Sequence, residues 1–230
     1  YHIPSVLRLN GKLNADAWEY AIQNIVNRHE VLRTVIYDND GIPYQEVLPV
    51  DKFKIFTIDG SIYNGDSAAL KQRIETLILE PFDLAKDHMV RVCLIYLNPD
   101  EHVLVVTTHH IASDGWSVSI IVKEVVELYN AYEQKRPSAL SPLQVQYADH
   151  AIWQRKFLDE EVLQRKIGYW NKKLSGVSTL DLPTDFVRPL IQSQKGAKIN
   201  FLINKELGAE LAVLSQKQGA TLFMTLLAAF

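Results

Sequence analysis

His102-Val103-Leu104-Val105-Val106-Thr107-Thr108-His109-His110-Ile111-Ala112-Ser113-Asp114-Gly115 decides the fold. Its first seven residues form a strongly apolar, β-branched run and predict a buried strand. Adjacent residues on an extended backbone point to opposite faces, so His109 and His110 do not easily share one job, and one of them is expected to face a cavity. Ser113, Asp114 and Gly115 supply a turn, with Gly115 able to take up positive φ. An imidazole thus sits at a strand end with a carboxylate four residues after His110, and such strand-to-loop junctions commonly carry catalytic groups.

On residue type alone, a histidine after a strand is more often a satisfied core residue than a catalyst. A metal site is not expected, because zinc needs three or four ligands at suitable spacing. Cys93 is the only cysteine, and His2, His29, His88, His102 and His150 are scattered. Asp114 is also placed to cap the helix whose apolar periodicity starts at Trp116. Ser113 lacks the Gly-x-Ser-x-Gly elbow of a serine hydrolase.

Outward from this stretch, helices and strands alternate without repeats or low-complexity linkers. Residues 6–9 read as a short strand ending at Asn10-Gly11. Asn14 starts a helix in which Trp18, Ala21, Ile22, Ile25 and Val26 form one apolar stripe. Residues 31–37 and 44–48 read as strands joined across Asp38-Asn39-Asp40-Gly41. Asp66 or Ser67 caps a helix to about Leu79, with Leu70, Ile74, Leu77 and Ile78 inward. Residues 89–97 and 103–108 make a second hairpin. Val118, Ile121, Val122, Val125 and Leu128 mark a long amphipathic helix. A loop over residues 135–142 precedes helices at about 144–157 and 159–174, with Trp153 and Trp170 as apolar anchors. Residues 176–189 read as a connecting segment, 197–203 as a strand, 206–218 as a helix and 221 onward as another. The sum is an α/β layer arrangement, a sheet covered by helices.

The chain has 230 residues, 47% hydrophobic and 22% charged, which is the composition of a folded domain and not of a disordered one. A net charge of −3 offers no basic field to nucleic acid or an anionic membrane. One cysteine builds no internal disulfide framework, which fits a reducing, cytoplasmic setting. No apolar run reaches the ~18 residues of a membrane span.

His109 to Ser117 resembles the HHxxxDG core motif of nonribosomal peptide synthetase condensation domains. The wider superfamily that includes chloramphenicol acetyltransferase shares the shorter HxxxDG form. Arg28-His29-Glu30-Val31-Leu32-Arg33-Thr34 resembles the family's RHExLRT motif. Tyr147-Ala148-Asp149-His150-Ala151-Ile152-Trp153-Gln154 resembles its YxDYAxWQ motif, with His150 in place of the usual Tyr. Glu80-Pro81-Phe82-Asp83-Leu84 and Leu182-Pro183-Thr184-Asp185 resemble further family signposts, so the similarity covers essentially the whole chain. The family's first and later motifs are absent, and the resemblance therefore implies a piece of a longer domain, truncated at both ends.

The resemblance implies a chloramphenicol acetyltransferase-like lobe with a mixed sheet covered by helices. Residues 1–175 would form the N-terminal lobe, and residues 176–230 the connecting segment and start of an incomplete C-terminal lobe. The implied activity joins a donor acyl or peptidyl thioester to the amine of an acceptor aminoacyl thioester. Both would arrive on 4'-phosphopantetheine arms of donor and acceptor peptidyl carrier proteins, beside a neighbouring adenylation domain in the same polypeptide. No cofactor is expected on this chain itself, nor a nucleic-acid or membrane partner, and activity is not expected of residues 1–230 alone.

By the same resemblance His110 faces the substrate tunnel. It is either a general base on the amine or a hydrogen-bonding post that orients it. The Gly115 N–H is expected to face the developing oxyanion. Asp114 is assigned to architecture, with Arg28 as its ion-pair partner, because a buried carboxylate needs one. His109 is expected to pack or hydrogen-bond within the lobe. Arg33 is grouped with these structural residues, and the competing reading puts Arg28 and Arg33 on a solvated helix end. Two alternatives stand beside condensation: an HxxxDG acyltransferase using a soluble thioester, and an epimerization, heterocyclization or recruitment relative. The intact histidines and Asp114-Gly115-Trp116-Ser117 favour condensation.

Overall fold

The apolar run of residues 103–108 becomes the centre of a sheet. In the computed structural model, which describes residues 1–179, 181–191, 193, 196–197 and 199–229, strand β1 is His2–Asn10. It is much longer than the four residues its pattern predicts. The hairpin β2 (Thr34–Asn39) and β3 (Ile42–Val47) stands apart as a two-stranded sheet. Its two-residue loop places Asp40 and Gly41 at φ 54° and 81°, the left-handed pair that matches the twist of a hairpin.

Strands β4 (Phe56–Asp59), β5 (Val90–Asn98) and β6 (Glu101–His109) complete the main sheet in the order β1-β6-β5-β4. β6 pairs antiparallel with β1, placing His2 opposite His109, and antiparallel with β5. β4 runs parallel to β5, so the sheet is mixed. The sequence reading missed β4, which is too short to show an alternation and lies with Phe56 exposed at the sheet edge.

Helices α1 (Ala15–Arg28), α2 (Ser67–Leu79) and α3 (Gly115–Glu133) cover the two faces of this sheet. Val92, Leu94 and Leu104 pack with Ile22, Ile25 and Val26 of α1 and with Val125 and Leu128 of α3. The alternate residues Cys93, Ile95, Val103 and Val105 pack with Leu70 of α2. Burial on both faces explains why β5 and β6 read as unbroken apolar runs. Asn14 caps α1 through Ala17 N at 3.1 Å, and Asp66 caps α2 through the N–H groups of Ala68 and Ala69. Val122, expected inward, is exposed on α3 because the buried stripe runs through Glu124, Val125, Leu128 and Ala131.

Helices α4 (Tyr147–Phe157) and α5 (Glu160–Lys173) follow the loop. Trp153 and Trp170, expected as anchors, are 55% and 56% exposed, so they do not anchor a core. Their rings are instead occupied along their own helices: Trp153 stacks on Phe157 at 5.1 Å and Trp170 meets Tyr169 edge-on.

The chain divides into a unit Tyr1–Lys173 and a unit Leu174–Phe230. The second holds α6 (Lys205–Lys217) and α7 (Leu222–Ala229), linked by a 2.7 Å hydrogen bond between the Ser215 and Thr225 hydroxyls. The strand expected at residues 197–203 does not form among the described residues; Lys198 lies outside them. Ile199, Phe201 and Leu202 are exposed, so no buried face holds the described part of this stretch as a strand. Among the described residues no helix is long and apolar enough to cross a membrane.

Candidate active site

His109 closes β6, and His110 is the first residue of the turn that follows. The turn is tied down by its backbone: His110 N donates to Tyr1 O at 2.8 Å, and Ala112 N donates to His109 O at 3.0 Å. His109 turns inward against Tyr1, His2 and Phe82, and its Nδ1 accepts from Ile111 N at 3.1 Å. Partial burial and then nearby cationic groups lower its pKa below the usual imidazole value. His110 is exposed and lines a cleft of about 490 Å³.

The walls of that cleft come from four places. The turn supplies His110 and Ser113, α3 and its cap supply Asp114, Ser117 and Glu124, and the first turn of α4 and its cap supply Gln146, Tyr147 and His150. His29 and Val31 of the RHEVLRT segment close it. A hollow of similar size, about 500 Å³, lies beside β4 and α2 and contains none of the three motifs. The convergence of motif residues, not volume, makes the first cleft the candidate site.

Asp114 does not pair with Arg28. Its carboxylate accepts from Trp116 N at 3.1 Å, Ser117 N at 2.9 Å and the Ser117 hydroxyl at 2.6 Å, while Ser117 Oγ accepts from Asp114 N at 3.2 Å. This reciprocal capping box satisfies the carboxylate without a cation. The Ser117 hydroxyl and N–H hold the Asp114 carboxyl below the usual carboxylate range. Gly115 then opens α3 as an ordinary helical residue and does not use positive φ, because Asp114 makes the turn in extended conformation at φ −144°. A side chain at Gly115 would meet nothing within 4 Å, so the space before it is open. Trp116 and Ser117 N–H groups serve the cap; among the described residues no hydrogen bond takes the N–H of Gly115.

Arg28 instead meets Glu124 of α3, its Nε lying 3.2 Å from both carboxylate oxygens, and donates through Nη1 to Ser141 O at 2.7 Å. His29 Nε2 lies 2.6 Å from Glu124 Oε2. Gln146 completes the junction, accepting from Glu30 N at 3.2 Å and donating to Arg28 O at 3.0 Å. Arg33 is not on a solvated helix end either. It is buried, donating to Leu48 O and to Glu30 Oε1 at 3.3 Å.

Sequence reasoning missed Glu124 and Gln146. Glu124 carried a signal: it falls on the apolar stripe between Ile121 and Leu128, where an unpartnered charge would be costly. Gln146 carried none, since its partners are backbone groups of a distant segment. Among the described residues no cluster of His, Cys, Asp and Glu is arranged to hold a metal ion. Cys93 is buried, and burial pushes its thiol pKa up, so it offers no ready thiolate.

The whole chain, residues 1–230, matches the family model of the condensation domain. It is 43% identical over 232 residues to a polypeptide of the linear gramicidin synthase of Brevibacillus parabrevis, spanning 100% of this chain and 5% of that polypeptide. It is 41% identical over 232 residues to malpibaldin synthetase of Mortierella alpina, spanning 100% of this chain and 4% of that one. Among solved structures it is similar to the X-domain in its complex with OxyB from teicoplanin biosynthesis. That match has 30% identity and a TM-score of 0.80 over 96% of this chain and 48% of the other. The epimerization domain from the third module of tyrocidine synthetase B matches at 25% identity and a TM-score of 0.72, over 81% of this chain and 42% of the other. The chain belongs to the condensation domain family, and its fold is the mixed α/β, chloramphenicol acetyltransferase-like one. It spans a small fraction of the length of the curated relatives it matches.

Proposed function

We propose that this chain is part of a nonribosomal peptide synthetase condensation domain. That domain forms a peptide bond between a donor acyl or peptidyl thioester and the amine of an acceptor aminoacyl thioester. The observation that carries the reading is the convergence of all three motifs on the cleft where His110 is exposed. Donor and acceptor carrier proteins deliver the substrates on phosphopantetheine arms, with an adenylation domain next in the polypeptide. Residues 1–175 act as the N-terminal lobe and 176–230 as the connection toward the next, a division supported by the compact unit Tyr1–Lys173.

A thioester is already activated, so the site must chiefly place two tethered partners, which is worth ~7 kcal/mol or more at near-attack geometry. His110 is the catalytic imidazole, accepting a hydrogen bond or proton from the attacking amine. The untaken N–H of Gly115 at the start of α3 faces the oxyanion that develops on the carbonyl. Asp114 fixes the turn as a helix cap. Arg28, Arg33 and His109 hold the surrounding backbone, each through the contacts described above.

The test is reconstitution of the full-length parent domain with donor and acceptor loaded on carrier proteins, product being followed as dipeptidyl thioester by mass spectrometry. Product from loaded carriers, and little from the same acyl group on a soluble thioester, is the expected result. Efficient transfer from the soluble thioester alone would support the other HxxxDG acyltransferases instead.

A further inference from the structure

A buried carboxylate stands behind a second imidazole of the same cleft. Arg28 Nε faces both oxygens of Glu124 at 3.2 Å, and one arginine already balances the charge of that carboxylate. His29 nonetheless meets Glu124 Oε2 through Nε2 at 2.6 Å, while Glu124 is only 9% exposed. A carboxylate only accepts, so the Nε2–H of His29 donates and a neutral ring keeps its lone pair on Nδ1. Among the described residues no hydrogen bond reaches Nδ1, and His29 lines the cleft with His110. A carboxylate held behind an imidazole in this way fixes its tautomer and orientation.

Proton counting gives this second base a task. An α-amine with a pKa of about 8 arrives mostly as ammonium at neutral pH, and it must lose two protons to become an amide. We propose that His29, oriented by Glu124, takes the first of them, preparing the acceptor amine for attack beside His110. An N–H bond of the ammonium breaks and an Nδ1–H bond forms on His29. The free amine then adds to the thioester carbon, the C–S bond breaks, and the second amine proton ends on the thiolate sulfur by way of His110. His29 returns the first proton to solvent. His29 is thereby a catalytic residue and Glu124 a positioning residue, and both assignments rest on the condensation reading above.

The other ionisable groups facing the cleft are His110, Asp114, Tyr147 and His150; Arg28 lies against Glu124, and the Glu30–Arg33 ion pair is adjacent in sequence. The experiment is single-turnover formation of dipeptidyl thioester by the full parent domain with loaded carriers, from about pH 6 to about pH 9, on either side of the amine pKa. Wild type is compared with His29→Gln and Glu124→Gln. Glutamine at position 29 keeps a side-chain N–H for Glu124, so the network survives and this variant decides the matter even where Glu124→Gln folds poorly. The expected result is a loss of about tenfold or more below the amine pKa that shrinks to about twofold at high pH, where the amine is already neutral. Wild-type product with a loss equal at every pH, or with no loss in His29→Gln, would overturn the proposal and leave the condensation reading intact. No product from wild type would instead remove that reading itself.

Discussion

Asp114 and Glu124 exchange the roles their sequence context implies. Asp114 lies four residues after His110 and looks like the partner of an arginine, yet its oxygens are satisfied by the first turn of α3. Glu124 lies further along the same helix and takes Arg28. A double-mutant cycle distinguishes the two arrangements: Arg28 and Glu124 should couple by about 1 kcal/mol or more in denaturant unfolding, whereas Arg28 and Asp114 should be additive. Removing Glu124 alone leaves Arg28 partly buried without its carboxylate, and Glu124→Ala is expected to cost about 3 kcal/mol. The Asp114 carboxyl is held below its unfolded value, so its contribution is complete above the ordinary carboxylate pKa and fades as pH falls through the lower folded one. Asp114→Ala should therefore lower the melting temperature at neutral pH, Asp114→Asn less so, and the difference from wild type should narrow in acid. The charge of Glu124 was legible as a break in an apolar stripe; its partner was not, because 96 residues separate Arg28 from Glu124 in the chain.

Elements with a long period or a strong cap were legible, and short or unpartnered ones were not. Helix α1 starts where Asn14 says it should, and β2–β3 turns at the expected Asp40-Gly41. β4 was invisible because its four residues carry no usable period and its place is set by β5. Gly60, which ends it, is tightly surrounded: a Cβ there would overlap Ile95 Cγ2 and come within 3.1 Å of Tyr96 O. Gly60→Ala is expected to destabilise the domain by about 1–3 kcal/mol, read from chemical denaturation. The loop after α3 is also held by a specific device. Arg136 grips Glu127 through Nη1 at 2.7 Å and Nη2 at 2.9 Å, and Ala139 N donates to the same carboxylate at 2.7 Å. Arg136 and then Ala139 pull the Glu127 pKa from 4.5 to about 2. The tether is complete above pH 4.5 and lost as pH falls through about 2. Arg136→Ala should lower the amide-exchange protection factor of Ala139 at neutral pH, and acid should lower the same protection factor in wild type.

At the scale of the molecule, three short motifs separated by tens of residues meet around one cleft. His110, His29 and Tyr147 come from three different segments and line the same cleft. The division between His109 and His110 was legible from the strand end: His109 packs inward as the last residue of β6, and His110 is exposed on the turn that follows. The lack of a strand among the described residues of 197–203 was not legible, since the apolar residues read as a strand whereas Ile199, Phe201 and Leu202 are exposed. Everything proposed for the cleft turns on His110 acting at the reacting centre. Dipeptidyl thioester formation by the full-length parent domain, wild type against His110→Ala, with donor and acceptor loaded on carrier proteins, tests this directly. Product from wild type and a loss of about a hundredfold or more in the variant are expected. Equal product from both would reduce the histidine to a bystander and take the proposed chemistry with it.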